Sequence, residues 1–149
     1  MTRFLVDLDR ETEVFLRYAI VQWIEDALLR LARKVAQSED PEIRSYLMRD
    51  YTVAVNSGTA LLSNAQYQGQ SVTEPIFYDT IDPRNVTHPS STYAMQWVPN
   101  QQMLSLPRPT AFLYYTVYDG KILTRDLNGS TTGLTGTISF TANYLPLLS

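Results

Sequence analysis

The sequence predicts an α+β protein, in which an N-terminal helical pair is followed by a mostly antiparallel β domain, a small sandwich or a barrel-like sheet. Apolar residues recur at spacings of three and four between Ile20 and Val35, which is the period of a helix. From Tyr51 onward apolar and polar residues alternate, which is the period of a strand. We therefore divide the 149 residues into a helical region, 1–50, and a β domain, 51–149.

The first helix is predicted to begin after Asp9, whose carboxylate is suited to capping the N-terminal amides. Its apolar stripe consists of Ile20, Val21, Ile24, Ala27, Leu28, Leu31 and Val35. Phe15, Trp23 and Leu29 fall on or beside the opposite, polar side, which is unusual for a helix with one buried face. Two explanations remain open: the helix is buried widely within its own domain, or a second apolar face meets another subunit.

A second helix is predicted over residues 41–49, because Asp40 is suited to the N-cap and Pro41 to the first helical position. Only Ser38 to Asp40 interrupt the helical pattern. The two helices should therefore form a helical hairpin or an arm with a bend.

Period-two alternation and turn residues predict the elements of the β domain. The expected strands cover residues 52–55, 59–62, 75–81, 85–88, 93–98 and 136–145, together with two strands that flank Asp119-Gly120. A helix over residues 59–65 is the alternative to the second of these strands. Turns are expected at 56–58 and 82–85, a connector with one helical turn at 99–109, and polar loops near 64–72 and 127–136.

The stretch FLYYTVYDGKILTRD, residues 112–126, predicts a β-hairpin, because Asp-Gly suits a two-residue turn in which both residues have positive φ. The predicted register pairs Val117 with Ile122, Thr116 with Leu123 and Tyr115 with Thr124. A row of tyrosines could instead stack on a base or a sugar, but only Lys121 and Arg125 supply positive charge nearby. We therefore interpret the tyrosines as sheet residues.

No catalytic, metal-binding or cofactor-binding pattern is visible in the sequence, so we expect no enzyme activity, no metal and no cofactor. The chain has no cysteine, and its single histidine, His88, lies in no nucleophile motif and is expected at the surface or at a strand end. The acids Asp79, Asp82, Asp119 and Asp126 lack the spacing of a calcium loop. No stretch approaches the roughly 20 apolar residues of a membrane span.

Charge is distributed unevenly along the chain. Ten of the 15 acidic and eight of the 12 basic residues lie within residues 1–50, which leaves nine charged residues for the β domain. That share is well below the roughly 25% of an average soluble domain. Because interface cores are depleted in charge, we expect neighbouring subunits to cover the β domain. The net charge of −3 argues against electrostatic binding to nucleic acid.

The residues expected at contacts with subunits or partners are the off-stripe apolar residues of the first helix, the outward tyrosines of the hairpin and the apolar C-terminal tail. They are Phe15, Trp23, Leu29, Tyr114, Tyr118, Leu145, Leu147 and Leu148.

Three stretches within residues 93–149, YAMQWVP, FLYYTVYDGKILTRD and GSTTGLTGTISFTANYLP, together with the N-terminal helices, resemble the head-to-tail connector proteins of tailed bacteriophages, of the adaptor or head-completion type. The resemblance implies a ring of on the order of 6 or 12 copies, closed by cyclic symmetry. It also implies the portal and other neck or tail proteins as partners, DNA that passes through without sequence-specific binding, no membrane, and a place in the virion after assembly in the host cytoplasm.

Three other functions remain open. The first is another virion structural role, such as a tail terminator, a baseplate protein or a capsid-decorating protein. The second is a β domain that binds a small ligand or a glycan through the tyrosine row. The third is an enzyme with an unusual site around His88 and Asp82.

Overall fold

The computed structural model describes residues 2–103 and 112–146, with side chains from residue 10 onward. It contains two helices, α1 (Thr2–Ala36) and α2 (Pro41–Ser45). Nine strands follow: β1 (Met48–Val55), β2 (Thr59–Leu61), β3 (Gln66–Tyr67), β4 (Gln70–Ser71), β5 (Ile76–Phe77), β6 (Gln96–Trp97), β7 (Tyr114–Tyr118), β8 (Lys121–Arg125) and β9 (Gly136–Tyr144). The predicted α+β class is confirmed: a long N-terminal helix precedes mostly antiparallel strands that curl into a half-barrel.

The helix α1 is longer than predicted, because it begins at Thr2 and not after Asp9. No glycine or proline interrupts residues 2–36, so nothing in the covalent chain ends the helix at Asp9. The predicted cap of α2 is confirmed, since the Asp40 carboxylate accepts a 3.0 Å hydrogen bond from the amide of Glu42 and Pro41 occupies the first turn.

The helix α2 is shorter than predicted, and the domain boundary shifts with it. It ends at Ser45 and not at Arg49, because β1 begins at Met48. Met48 lies opposite Asn143, and the antiparallel register continues to Val55 opposite Gly136. This ladder of backbone hydrogen bonds with β9 competes with the short helix for the residues around Arg49. The first strand therefore begins at Met48, before the predicted start of the β domain at residue 51.

The strands form two sheets that share one core. The first sheet has the order β4-β3-β1-β9-β5, and the second has the order β2-β8-β7-β6. Among these strands only β6 and β7 pair in parallel. The two sheets meet at the turn between β1 and β2, where Asn56 bridges to Thr59 and the amide of Gly58 donates to the carbonyl of Leu134.

The core lies between the inner faces of these sheets. Its fully buried large side chains are Tyr51, Tyr115, Phe140, Leu62, Met95, Leu113, Ile122, Ile138, Val53, Val55 and Val86. The alternation predicted for β9 holds from Ile138 through Phe140 to Ala142, which all point into the core, and breaks at Asn143, which is buried as well. A second, smaller cluster of Ala32, Ala36 and Phe77 joins α1 to the β domain.

The hairpin of β7 and β8 has the predicted register. Val117 lies opposite Ile122, Thr116 opposite Leu123 and Tyr115 opposite Thr124. Asp119 and Gly120 have φ values of 52° and 69°, so the turn between the strands is the predicted positive-φ turn. The turns at 56–58 and 82–85 are likewise present, the latter closed by a hydrogen bond from the amide of Asn85 to the carbonyl of Asp82.

The middle of the β domain is less regular than predicted. The polar segment 64–72 is not a loop throughout, because Gln68-Gly69 forms a tight turn with positive φ at both residues between β3 and β4. The strand predicted over 75–81 ends at Phe77, because the chain turns into a 3-10 helix at Tyr78–Thr80.

Two other strands are also shorter than predicted. Residues 85–88 contribute only the bridge of Thr87 to Ser139, next to Pro89, which lacks an amide hydrogen for further pairing. Residues 93–98 form a strand only at Gln96–Trp97.

Residues 59–65 contain β2 and then one 3-10 turn, Leu62–Asn64, so the strand and the helix proposed for this segment each account for part of it. The helical turn predicted in the 99–109 connector is present at Asn100–Gln102. The remainder of the connector from residue 104 lies outside the described residues.

Candidate functional site

The helix α1 extends away from the β domain as an arm. No side chain between residues 10 and 31 is buried, and the contact with the β domain begins at Ala32. Those 22 residues correspond to about 33 Å of helix at about 1.5 Å per residue. The predicted contact residues Phe15, Trp23 and Leu29 lie on this arm with exposed fractions of 67%, 66% and 42%.

The arm is apolar around most of its circumference. Its exposed large apolar side chains are Val14, Phe15, Leu16, Tyr18, Ile20, Val21, Trp23, Ile24, Leu29 and Leu31. Burying one such side chain stabilises a protein by about 1.5–3 kcal/mol, and a helix that is apolar on every side is normally enclosed by other elements. Wide burial within its own domain is therefore excluded for residues 10–31.

The arm is attached to the β domain through small residues and one ion pair. Ala32 and Ala36 pack with Phe77, and Leu47 and Leu145 are partly buried against this cluster. The guanidinium of Arg33 lies 4.0 Å above the ring of Phe77. Its Nη1 atom lies 3.2 Å from both carboxylate oxygens of Asp79. Because this ion pair is exposed, it contributes little stability, and the apolar packing holds the joint.

The two tyrosines predicted at the sheet surface differ in exposure. Tyr118 is 57% exposed beside the hairpin turn, whereas Tyr114 is half-buried. Between them, Tyr115 points into the core. Of the tail residues, Leu145 is half-buried at the base of the arm, where its amide donates to the carbonyl of Pro75. Leu147 and Leu148 lie outside the described residues.

Sequence reasoning did not anticipate how much of the arm is exposed, or that Trp97 is exposed. Trp97 is 56% exposed and lines an open cleft of about 530 Å³ with Tyr78, Ile81, Pro83 and Tyr115. One feature of the sequence does indicate the exposed arm: residues 14–31 have no continuous polar face. No comparable local signal distinguishes Trp97 from a buried strand residue, because β6 has only two residues.

A second cleft, of about 610 Å³, lies beside the joint between the arm and the sheet. Arg44 of α2 and Asn143 of β9 both line it. Asn143 is buried and its amide nitrogen donates to the carbonyl of Arg44, yet its Oδ1 atom and the Nε atom of Arg44 have no hydrogen-bond partner within the described residues. Because both atoms are buried, neither is open to a molecule in the cleft.

A cluster of charged and aromatic side chains holds the outer part of the first sheet. Arg49 Nη1 donates to Glu74 Oε1 over 2.6 Å, and the Tyr51 hydroxyl donates to the same oxygen over 3.3 Å. The Arg49 guanidinium also lies 4.0 Å from the ring centre of Tyr144 and 4.6 Å from that of Tyr67. The cluster thus links β1, β3 and β9 to the segment that precedes β5.

The pKa values of Glu74 and Tyr51 in this cluster are shifted away from neutral pH. Burial alone would raise the pKa of Glu74, but hydrogen bonds from its own backbone and from Arg49 lower that pKa below its ordinary value. Burial, together with the charge of Glu74, raises the pKa of Tyr51 well above its ordinary value. Outside this cluster, burial and the carboxylate of Asp82 raise the pKa of Tyr115 to about 12. The cluster is therefore suited to structural support and not to proton transfer near pH 7.

His88 is buried and has structural hydrogen-bond partners. Of the two expected positions, the surface is wrong, but the strand end fits, because His88 directly follows Thr87, which bridges to Ser139. Its Nδ1 atom lies 2.7 Å from the Ser90 hydroxyl, and its Nε2 atom lies 2.5 Å from the carbonyl oxygen of Thr135. Both ring nitrogens are thus engaged by neighbours of its own domain.

The acids considered for a cation site support loops. Asp82 Oδ1 accepts from the amide of Arg84, and Asp126 Oδ1 accepts from the amides of Asn128 and Ser130. Within residues 2–103 and 112–146, no group of three or more His, Asp or Glu side chains could hold a metal ion. No helix in the same part of the chain is long and apolar enough to cross a membrane.

Comparisons with known proteins identify no relative. A scan against protein-family models, a search of curated proteins and a search of solved structures each found no match to this chain.

Proposed function

We propose that this chain is a structural protein of a tailed-phage virion, one subunit of a ring that joins the portal or head to the tail. The observation that carries the proposal is the apolar arm, residues 10–31, in which no side chain is buried. An isolated subunit with such a surface gains stability only when neighbours cover it. A subunit of a permanent assembly fulfils that condition.

The charge distribution supports an assembly role. The β domain has few charged residues, and the charges of Arg49, Glu74 and Arg125 are engaged in contacts within the domain. Surfaces that lack free charge are suited to lateral contacts between subunits, because little charge must be desolvated when the contacts form. An acidic net charge of −3 is compatible with DNA passing through without being held.

The proposed mechanism is surface matching. Each arm packs on a neighbouring subunit or on the portal through residues such as Phe15 and Leu29, while Tyr118 at the hairpin tip contacts the next subunit. Contacts of this head-to-tail kind generate a closed ring when the rotation between subunits divides a full turn. The proposed partners are thus other copies of the chain, the portal and the adjoining neck or tail proteins, within the virion.

The test combines light scattering over a concentration series with electron microscopy of the purified protein and of particles. We expect rings, or smaller species that become a ring on particles. Phe15→Glu should prevent incorporation, because it adds a charge to the apolar arm. The matched control Gln22→Glu adds the same charge to an already polar, exposed position and should be incorporated normally. A stable monomer that is absent from particles would refute the proposal.

A second candidate is the binding of a glycan or another small ligand in the cleft lined by Tyr78 and Trp97. Aromatic faces in an open groove can stack on sugar rings, and Trp97 is exposed beside this groove. A glycan array would identify binding, and Trp97→Ala should remove it while leaving the β domain folded. Absence of binding to every glycan on the array, with the folded wild-type protein, would eliminate this candidate.

A further inference from the structure

The arm has one apolar face that points directly away from its own β domain. Contact with that domain uses Ala32 and Ala36. At about 3.6 residues per turn, the opposite side of α1 carries Leu16, Ile20, Trp23 and Ala27, all of which are exposed. A second molecule can therefore lie along these four residues without meeting the β domain to which the arm is attached.

The sequence spacing of the residues on this face is the same from either end of the helix. Glu13 and Arg30 extend the row at its two ends, so the steps between successive positions are three, four, three, four and three residues. This is the alternation that two paired helices require for their contact positions. A row whose spacing is symmetric can pair with a second copy of itself that runs in the opposite direction.

Side-chain size and charge match in that antiparallel arrangement. Leu16 of one copy meets the small Ala27 of the second copy, whereas at the centre of the contact Ile20 meets Trp23, so two large apolar pairs fill the middle. At each end, Glu13 of one copy meets the oppositely charged Arg30 of the other copy, so the dimer has two ion pairs. All these side chains except the charged ends are apolar.

Other arrangements of the same face are disfavoured. Parallel pairing would set Glu13 against Glu13 and Arg30 against Arg30, so both ends would repel. An antiparallel shift of seven residues in one direction would place Arg30 against Ile20, and a shift in the other direction would place Glu13 against Trp23. Burial of an unpaired charge against an apolar side chain is costly, so one direction and one register are selected.

We propose that two copies of the free chain pair antiparallel along α1, through Leu16, Ile20, Trp23 and Ala27, with Glu13 and Arg30 forming an ion pair at each end. The pairing depends on the exposed arm and not on the connector role. It covers only one side of the arm. Val14 and Val21 lie outside this contact and stay exposed for the neighbours of a larger assembly.

Distances between spin labels test the direction and the register. The chain has no cysteine, so one label can be attached to Gln22→Cys or to Glu11→Cys, both at exposed positions on the same flank of the arm. In the antiparallel dimer the two labels at position 22 are almost level. The two labels at position 11 are separated by about 30 Å along the helix axis, at about 1.5 Å per residue. Short distances at both positions, or no dipolar coupling at either, would overturn the proposal.

Charge reversal tests the ion pairs. Glu13→Arg and Arg30→Glu should each raise the dimer dissociation constant at least about tenfold, and the double variant should restore it to within about threefold of the wild type. Glu13 also pairs with Arg17 of its own helix over 2.7 Å. The double variant does not restore that internal pair, so recovery reports the contact between copies.

The control variant Glu11→Arg lies off the paired face and should leave the dimer unchanged. Failure of the double variant to recover would overturn the proposed pairing, whatever the result of particle incorporation. Conversely, a dimer with the expected distances in a protein absent from particles would refute the connector role alone.

Discussion

Ala32 of α1 and Phe77 of β5 pack together in a buried cluster, and this contact is where the long arm meets the β domain. Ala32 is completely buried, so its position has room for a methyl group and not for a larger side chain. The Arg33 guanidinium covers the other side of the Phe77 ring at 4.0 Å. The attachment of the arm thus depends on close approach of the helix backbone to a single aromatic ring.

We expect Ala32→Leu to lower the free energy of unfolding by about 1–3 kcal/mol, because the larger side chain overfills this joint. Urea denaturation followed by circular dichroism would measure the change. The control Ala54→Leu makes the same substitution at an exposed position of β1 and should alter stability by less than about 0.5 kcal/mol. Equal effects at the two positions would show that the joint is not closely packed.

Acidification should weaken the fold through Glu74. Its pKa is lowered in the folded protein, so the stability it contributes is fully present above the unfolded value of about 4.3 and is lost as pH falls through the folded value. Glu74→Gln should cost about 1–3 kcal/mol at pH 7, because Arg49 and Tyr51 lose their charged acceptor. Denaturation at pH 7 and pH 3 should show a smaller pH dependence in the variant. An unchanged pH dependence would contradict this role.

Two glycines with similar backbone angles should respond differently to alanine. Gly58 and Gly69 have φ values of +78° and +81°, so alanine is strained at both, by about 1–2 kcal/mol. A Cβ atom on Gly58 would lie only 2.0 Å from the carbonyl oxygen of Thr131, whereas a Cβ atom on Gly69 meets nothing within 4 Å. We therefore expect Gly58→Ala to cost at least about 2 kcal/mol more than Gly69→Ala in thermal or urea unfolding. Similar costs would mean that the loop around Thr131 moves aside freely.

Alanine substitutions at two tyrosines of β7 should separate an effect on folding stability from an effect on ring assembly. Tyr115 is buried in the core, so Tyr115→Ala should cost about 3–5 kcal/mol of folding stability. Tyr118 is exposed, so Tyr118→Ala should change folding stability by less than about 1 kcal/mol and should reduce ring formation observed by electron microscopy. Normal ring formation by the folded Tyr118→Ala protein would remove Tyr118 from the proposed contacts.

Local chemistry explains which elements could be predicted. The hairpin register follows from Asp119-Gly120, because a two-residue turn determines the pairing of every residue beside it. The cap at Asp40 and the alternation along β9 likewise depend on neighbouring residues alone. Of the predicted contact residues, Phe15, Trp23, Leu29 and Tyr118 are exposed.

By itself, the sequence determined the α+β class, the succession of a helical region and a β domain, the central hairpin and the apolar character of the arm. Tertiary structure decided where α2 gives way to β1, how short the strands between residues 75 and 98 are, and that His88 is buried. It also decided that α1 meets its own domain at Ala32 and projects from that domain over residues 10–31. Periodicity and turn residues act between neighbours in the chain, whereas these outcomes depend on backbone pairing and packing between residues far apart in sequence, such as Met48 with Asn143.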